Sequence, residues 1–218
     1  MNPNLLSLSR VAALLVVAGT LALTPLSAQE APTDSPRREG FWASFGLGAG
    51  NGRINCRPCD PEPLDRNDPW TGGNGVSGYV AAGAALRPNL LIGGEANLWA
   101  RWSGSQERDA TLALLSFITQ YYPLQRSGLP DLYLKGGLGA GLSVLGGGDA
   151  MIEGGGWGVQ LGTGYDVRLR NRVALSPFAN VVQIFAPGAA GDNQNQFVTG
   201  PRNPRYAQIG VGVTWRAR

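Results

Sequence analysis

The 218-residue sequence has no histidine and a single lysine, Lys135. Without histidine the chain lacks the commonest general base, proton shuttle and metal ligand near neutral pH, which sets aside most hydrolytic mechanisms. Cysteine is scarce too, present only as Cys56 and Cys59. Charged residues make up 15% of the chain, against about 25% in an average soluble domain. Yet the mean hydropathy is only −0.08, and beyond the N-terminus no apolar run approaches the roughly 20 residues that a membrane helix needs. A helical membrane protein is therefore excluded. The formal charge of +3 is spread along the chain without the clustered basic stripe that nucleic-acid binding requires, so no nucleic-acid partner is expected.

What the sequence has in quantity is glycine, 33 residues, together with 15 prolines, a composition that suits a turn-rich, strand-rich fold. It opens on an address. Arg10 precedes the apolar stretch Val11–Leu23, and Ser27-Ala28-Gln29 follows a turn residue, Pro25. A basic flank, a short apolar core and a small residue before a polar one describe a secretory signal peptide over residues 1–28. Residues 29–39 carry no period and read as a flexible linker, leaving residues 40–218 for the folded domain.

From Phe41 onward the pattern has a period of two. Phe41, Ala43, Phe45, Leu47 and Ala49 alternate with Trp42, Ser44, Gly46, Gly48 and Gly50, which is the signature of a strand. Similar runs begin near Val76, Leu90, Leu132, Trp157, Val173 and Tyr206. The run of Trp157 is read as one strand through Leu169, and the run of Val173 bends at Pro177. A further segment, Asp109–Leu124, is apolar on both faces and its register is left open. Eight strands of about 10 residues match the span of a membrane barrel strand. Short connections at residues 87–89 and 170–171 contrast with long ones at 51–75 and 186–204, and such an alternation of short turns with long loops is found in bacterial outer-membrane barrels.

Lipid cannot solvate Glu95, Asn97, Arg101, Lys135, Asp166 or Arg168, so these are placed inside, as a polar network in the lumen. The outer face then carries aromatic belts, with Phe41, Tyr121, Tyr122 and Trp215 at one rim and Trp102 and Trp157 at the other. A narrow barrel must be filled by side chains. Inward Gly46, Gly83, Gly93, Gly137, Gly162 and Gly212 would make room for inward Tyr79, Trp99, Tyr133 and Phe178, which predicts a plugged lumen.

This layout, the glycine-rich strand Lys135-Gly136-Gly137-Leu138-Gly139-Ala140-Gly141, the strand end Tyr121-Tyr122-Pro123 and the final strand Tyr206–Trp215 resemble the small eight-stranded outer-membrane β-barrel proteins, similar to the OmpX/OmpA-barrel and OmpW-like families. The resemblance covers about residues 40–215. It implies an all-β, antiparallel up-and-down transmembrane barrel in the bacterial outer membrane. It implies a monomer among outer-membrane lipid and lipopolysaccharide, assembled by the barrel-assembly machinery, and it carries over no catalytic residue. Members of these families end on an aromatic residue, whereas here Arg216-Ala217-Arg218 trails behind Trp215.

Other candidate chemistry is sparse. Cys56-Arg57-Pro58-Cys59 could be a redox dithiol, half a zinc site or a disulfide. With no further cysteine and no histidine to complete a zinc site, a disulfide between Cys56 and Cys59 in an oxidising compartment is the favoured reading. Asp60, Glu62, Asp65, Asn67 and Asp68 could bind Ca²⁺ but lack the spacing of a calcium loop, and read as a solvated acidic loop. Gly146–Gly148 and Gly154–Gly156 are not followed by the lysine of a phosphate loop and read as a surface loop. The inward charges could be catalytic or a transport path, but a structural salt-bridge network is favoured because buried charges need partners. No cofactor, metal or enzyme activity is expected. The function expected is structural or surface-interacting. The alternatives are a narrow passage for ions or small hydrophobic molecules and a secreted, soluble, lipocalin-like ligand-binding barrel.

Overall fold

The computed structural model describes residues 38–55, 73–102, 109–124, 128–147, 150–170, 172–185 and 202–217. The proposed signal segment, most of the linker, Cys56, Cys59 and the acidic residues 60–68 lie outside the described residues. The elements are all strands: β1 (Phe41–Asn55), β2 (Gly73–Arg87), β3 (Leu90–Arg101), β4 (Asp109–Tyr121), β5 (Leu132–Gly147), β6 (Ala150–Tyr165), β7 (Val167–Arg170), β8 (Val173–Phe185) and β9 (Arg202–Arg216). Consecutive strands pair antiparallel except β6 and β7, β1 pairs with β9, and β6 pairs with β8, so the sheet closes on itself. Since β6 and β7 follow one another along the same edge of β8, the barrel has eight staves.

The stave read as one strand from Trp157 to Leu169 is therefore interrupted. Pairing with β8 runs to Gly164↔Phe178 and resumes at Val167↔Leu175 in the same register. The missing pairs fall opposite Pro177, which has no N–H to give to the ladder. Proline breaks the pairing there, while β8 itself runs from Val173 to Phe185 as one strand. A second correction concerns the glycine triplets. Gly146 and Gly147 end β5, and Gly154–Gly156 lie within β6, so most of the expected surface loop is an extension of the hairpin.

β4, whose register the sequence left open, turns Ala110, Leu112, Leu114, Ser116, Ile118 and Gln120 inward and exposes Leu115, Phe117 and Tyr121. The other strands keep the parity of the sequence pattern. Phe45, Leu47, Val80, Leu98, Leu138, Leu161, Ile209 and Val211 are exposed, while Glu95, Asn97, Lys135, Gln160 and Gln208 are buried. Among the residues whose side chains are described, the outward-facing positions between the two rims carry no charge. The exposed charges of the strands stand near strand ends, Arg53, Asp109 and Arg205 towards the long-loop rim and Arg87, Arg168 and Arg170 at the short-turn rim. The charge-free outer face of β4 from Thr111 to Tyr121 corresponds to about 33 Å of strand, or about 25 Å along the axis of a barrel tilted by about 40°, the height of a membrane-facing apolar band. A water-soluble barrel sorts its residues the opposite way, with the apolar face inside.

Glycine serves this sorting at specific places. A Cβ at Gly46 would run into the rings of Tyr79 and Phe178, which meet edge to face with centroids 4.9 Å apart. At Gly52 a Cβ would stand 2.6 Å from the indole of Trp99. Not every inward glycine faces a ring. Gly83 and Gly93 are cross-strand partners that approach each other's backbone, Gly162 faces the Asn180 side chain, and Gly137 faces Gln160 and Ile118.

Candidate functional site: the filled lumen

The lumen holds two polar clusters. At mid-height Lys135 Nζ donates to Glu95 Oε1 at 2.7 Å and to Oε2 at 2.8 Å. Both side chains are almost completely buried. Asn97 Nδ2 donates to Glu95 Oε1 at 2.5 Å and to Gln160 Oε1 at 2.7 Å, and Gln160 Nε2 donates to Ser116 Oγ at 2.7 Å. From the opposite wall Gln208 Nε2 reaches Asn97 Oδ1 at 2.7 Å. With its amide oxygen facing the donors, Asn180 accepts from Gln208 Nε2 at 3.0 Å and from Lys135 Nζ at 3.1 Å. The ammonium also lies 4.8 Å from the centre of the Tyr79 ring. A buried pair of charges is tolerable when its own remaining donors and acceptors are also satisfied. Amides from β3 and β8 do this for Glu95 and Lys135, while Gln208 Oε1 at the edge of the cluster has no partner. The result is a bonded cross-section spanning the barrel.

Below it, at the short-turn rim, Asp166 sits where the β6–β7 stave is interrupted. Its Oδ2 accepts from Tyr122 Oη at 2.8 Å and Arg216 Nη2 at 2.5 Å, and its Oδ1 from Ser176 Oγ at 2.7 Å. Hydroxyls continue the chain from Ser176 through Thr214 and Ser44 to Tyr79. Burial, reinforced by the nearby Asp166 charge, pushes the Tyr122 phenol up from its ordinary value, so the phenol stays protonated and donates. Arg38 closes the floor. Its Nη2 donates to Asp131 Oδ1 at 2.5 Å and to Pro130 O at 2.9 Å, and its guanidinium stacks 3.6 Å from the Tyr122 ring centre. Burial lowers its pKa, while Tyr122 and Asp131 act in the opposite direction.

The expected network is thus divided. Glu95, Asn97 and Lys135 share the central cluster, and Asp166 belongs to the floor. Arg168 is no lumen residue but a rim residue, 40% exposed in its side chain and 2.7 Å from Asp131, because it stands in the short, fully exposed β7 at the very end of its stave. Arg101 is on the inward face at the far end of β3, with its guanidinium over Gly73. Of the expected belt residues, Phe41, Trp102, Tyr121, Trp157 and Trp215 are exposed. Trp157 lies inside β6 rather than at its end and stacks on Phe185 at 4.1 Å. Tyr122 is a correction: it is buried in the lumen, because Tyr121 takes the outward position and alternation turns the next residue inward.

Sequence reasoning missed Arg38, Ser116, Tyr122, Asn180 and Arg216 as polar partners. Gln160 and Gln208 were missed as well, although the alternation of β6 and β9 alone turns both inward. Above the central cluster the lumen is filled mainly by apolar side chains, Ile54, Trp99, Ala110, Leu112, Leu114, Val182, Ile184 and Tyr206, with the small hydroxyls of Ser77 and Ser143 among them. Trp99 and Tyr206 stack with centroids 6.4 Å apart. Among the described residues no group of cysteine, aspartate and glutamate is arranged to hold a metal ion.

No family model matches the sequence, and no curated protein does. Solved structures do resemble the chain. Neisserial surface protein A aligns over 82% of this chain and 97% of its own at 18% identity, with a TM-score of 0.55. Ail, the attachment invasion locus protein of Yersinia pestis, aligns over 82% and 99% at 12% identity, with a TM-score of 0.46. For the outer membrane protein OprG from Pseudomonas aeruginosa the values are 84%, 100%, 12% and 0.43. The likeness to Neisserial surface protein A is one of fold.

Proposed function

We propose that the chain is a non-enzymatic integral protein of the bacterial outer membrane, a sealed barrel that meets its surroundings through its wall and its long-loop rim. The observation that carries this reading is the sorting of charge: inside, charged groups are bonded to one another, and outside, the wall between the rims has none among the described residues. Only a hydrocarbon exterior favours that arrangement. Among the described residues the carboxylates Glu95, Asp131 and Asp166 are each occupied by cations or hydroxyl and amide donors, which favours a structural over a catalytic lumen. The partners that fit are outer-membrane lipid and lipopolysaccharide around the wall, with the barrel-assembly machinery acting during insertion. The protein would act as a monomer.

Two measurements on the same preparation test it. Detergent-extracted protein should migrate faster on a gel before boiling than after. In planar bilayers it should give no conductance steps above leakage, because the Glu95–Lys135 cross-section closes the path. Solubility without detergent would overturn the membrane assignment, and stepwise conductance would overturn the sealed lumen in favour of a passage.

A further inference from the structure

The short-turn rim carries more arginine than its carboxylates hold. Arg38 and Arg168 share Asp131, and Arg216 is bonded to Asp166. Arg170, at the end of β7, and Arg172, just before β8, are exposed, and among the described residues neither has a carboxylate partner. With Val173 and Trp215 they line an open cleft of about 490 Å³. Its apolar side is built firmly. Val173 and Trp215 are cross-strand partners, and Arg216 N donates to Arg172 O at 2.9 Å, which ties the Arg172 backbone to β9. Trp215 is 44% exposed on the outer face, so the cleft continues the apolar wall to the edge where the two guanidinium groups stand.

We infer that this cleft binds the headgroup of an anionic glycerophospholipid from the leaflet at the short-turn rim. The phosphate lies between Arg170 and Arg172, and the glycerol and first acyl carbons lie over Trp215 and Val173. Guanidinium groups form forked, charge-assisted hydrogen bonds to phosphate oxygens. Tryptophan favours the membrane interface, where one side is apolar and the other wet. Basic side chains at such a surface gain from anionic lipid. A free phosphate would use only the arginines, whereas the Val173–Trp215 floor favours a lipid. The inference rests on the membrane reading above.

The test is native mass spectrometry of the full chain, released from mixed micelles containing phosphatidylglycerol or phosphatidylcholine. The double variant R170Q/R172Q is compared with R53Q/R205Q, which removes a cross-strand arginine pair at the opposite rim. The wild type and R53Q/R205Q should retain phosphatidylglycerol, and R170Q/R172Q should retain it about tenfold less or weaker still. Equal retention by R170Q/R172Q, or equal retention of phosphatidylcholine by the wild type, would overturn the inference. Displacement of the lipid by millimolar inorganic phosphate would overturn the lipid as ligand in favour of a free anion. Gel migration of each variant before and after boiling reports its folding. If the wild type needs no detergent, the membrane reading itself fails. If it needs detergent and retention is indiscriminate, only the cleft assignment fails.

Discussion

From mid-height to the short-turn rim, the lumen is held by charges, amides and hydroxyls bonded to one another among the rings of Tyr79, Tyr122 and Tyr133. Towards the long-loop rim, Trp99, Leu112, Leu114, Val182 and Ile184 fill it chiefly by packing, with Ser143 bonded only to the backbone of Gly154. The same cylinder is plugged by two materials. Bonded polar groups must match donor to acceptor, and an error leaves a buried charge or orphaned donor. Apolar packing needs only the right volume and tolerates substitution of similar shape. The lower plug should therefore be sensitive to chemistry and the upper plug to size.

The most damaging test of that contrast is Lys135→Met, which keeps the length of the side chain but leaves Glu95 buried without its cation. It should cost about 3–5 kcal/mol, read as a lower denaturant midpoint in micelles. Adding Glu95→Gln should recover much of that loss, since a neutral pair carries no stranded charge. Leu112→Ala in the upper plug should cost about 3 kcal/mol by leaving a cavity, while Leu114→Met should cost under about 1.5 kcal/mol. If Leu114→Met proved as costly as Lys135→Met, the contrast between the halves would be gone. Asp166→Asn should cost about 2 kcal/mol, because the neutral amide serves Arg216, Tyr122 and Ser176 poorly. Its gel shift on boiling should begin at a lower temperature than in the wild type. Arg168→Ala should have the smallest effect, under about 1 kcal/mol, since Arg168 is partly exposed and Asp131 keeps its buried partner Arg38.

The same contrast explains what could be read from sequence. Strands with a polar interior announce themselves: Glu95 and Asn97 opposite Ala96 and Leu98 fix the faces of β3 without any structure. β4 gives no such cue, because its upper inward residues Leu112 and Leu114 enter the apolar plug while Leu115 and Phe117 meet the outside. Hydrophobicity on both faces has two different causes there, and a single sequence does not separate them. The misplacement of Tyr122 follows from that open register, as either of two adjacent tyrosines could have faced outward. Arg38 precedes the first alternating residue, so no periodicity marks it, and only the folded floor shows its contacts with Asp131 and Tyr122. The interruption at Asp166 had a visible cause in Pro177, but which neighbouring stave would feel the missing N–H depends on barrel closure.

The interruption has a consequence for the integrity of the wall. Where the backbone ladder lapses opposite Pro177, the Ser176 hydroxyl reaches across to Asp166, so a side chain replaces the main-chain stitch. At that one point hull and cargo are the same atoms. Removing the carboxylate would both unload the interior and part the planking beside it, and amide hydrogens along Gly164–Val167 should then exchange with solvent ahead of those on every intact seam.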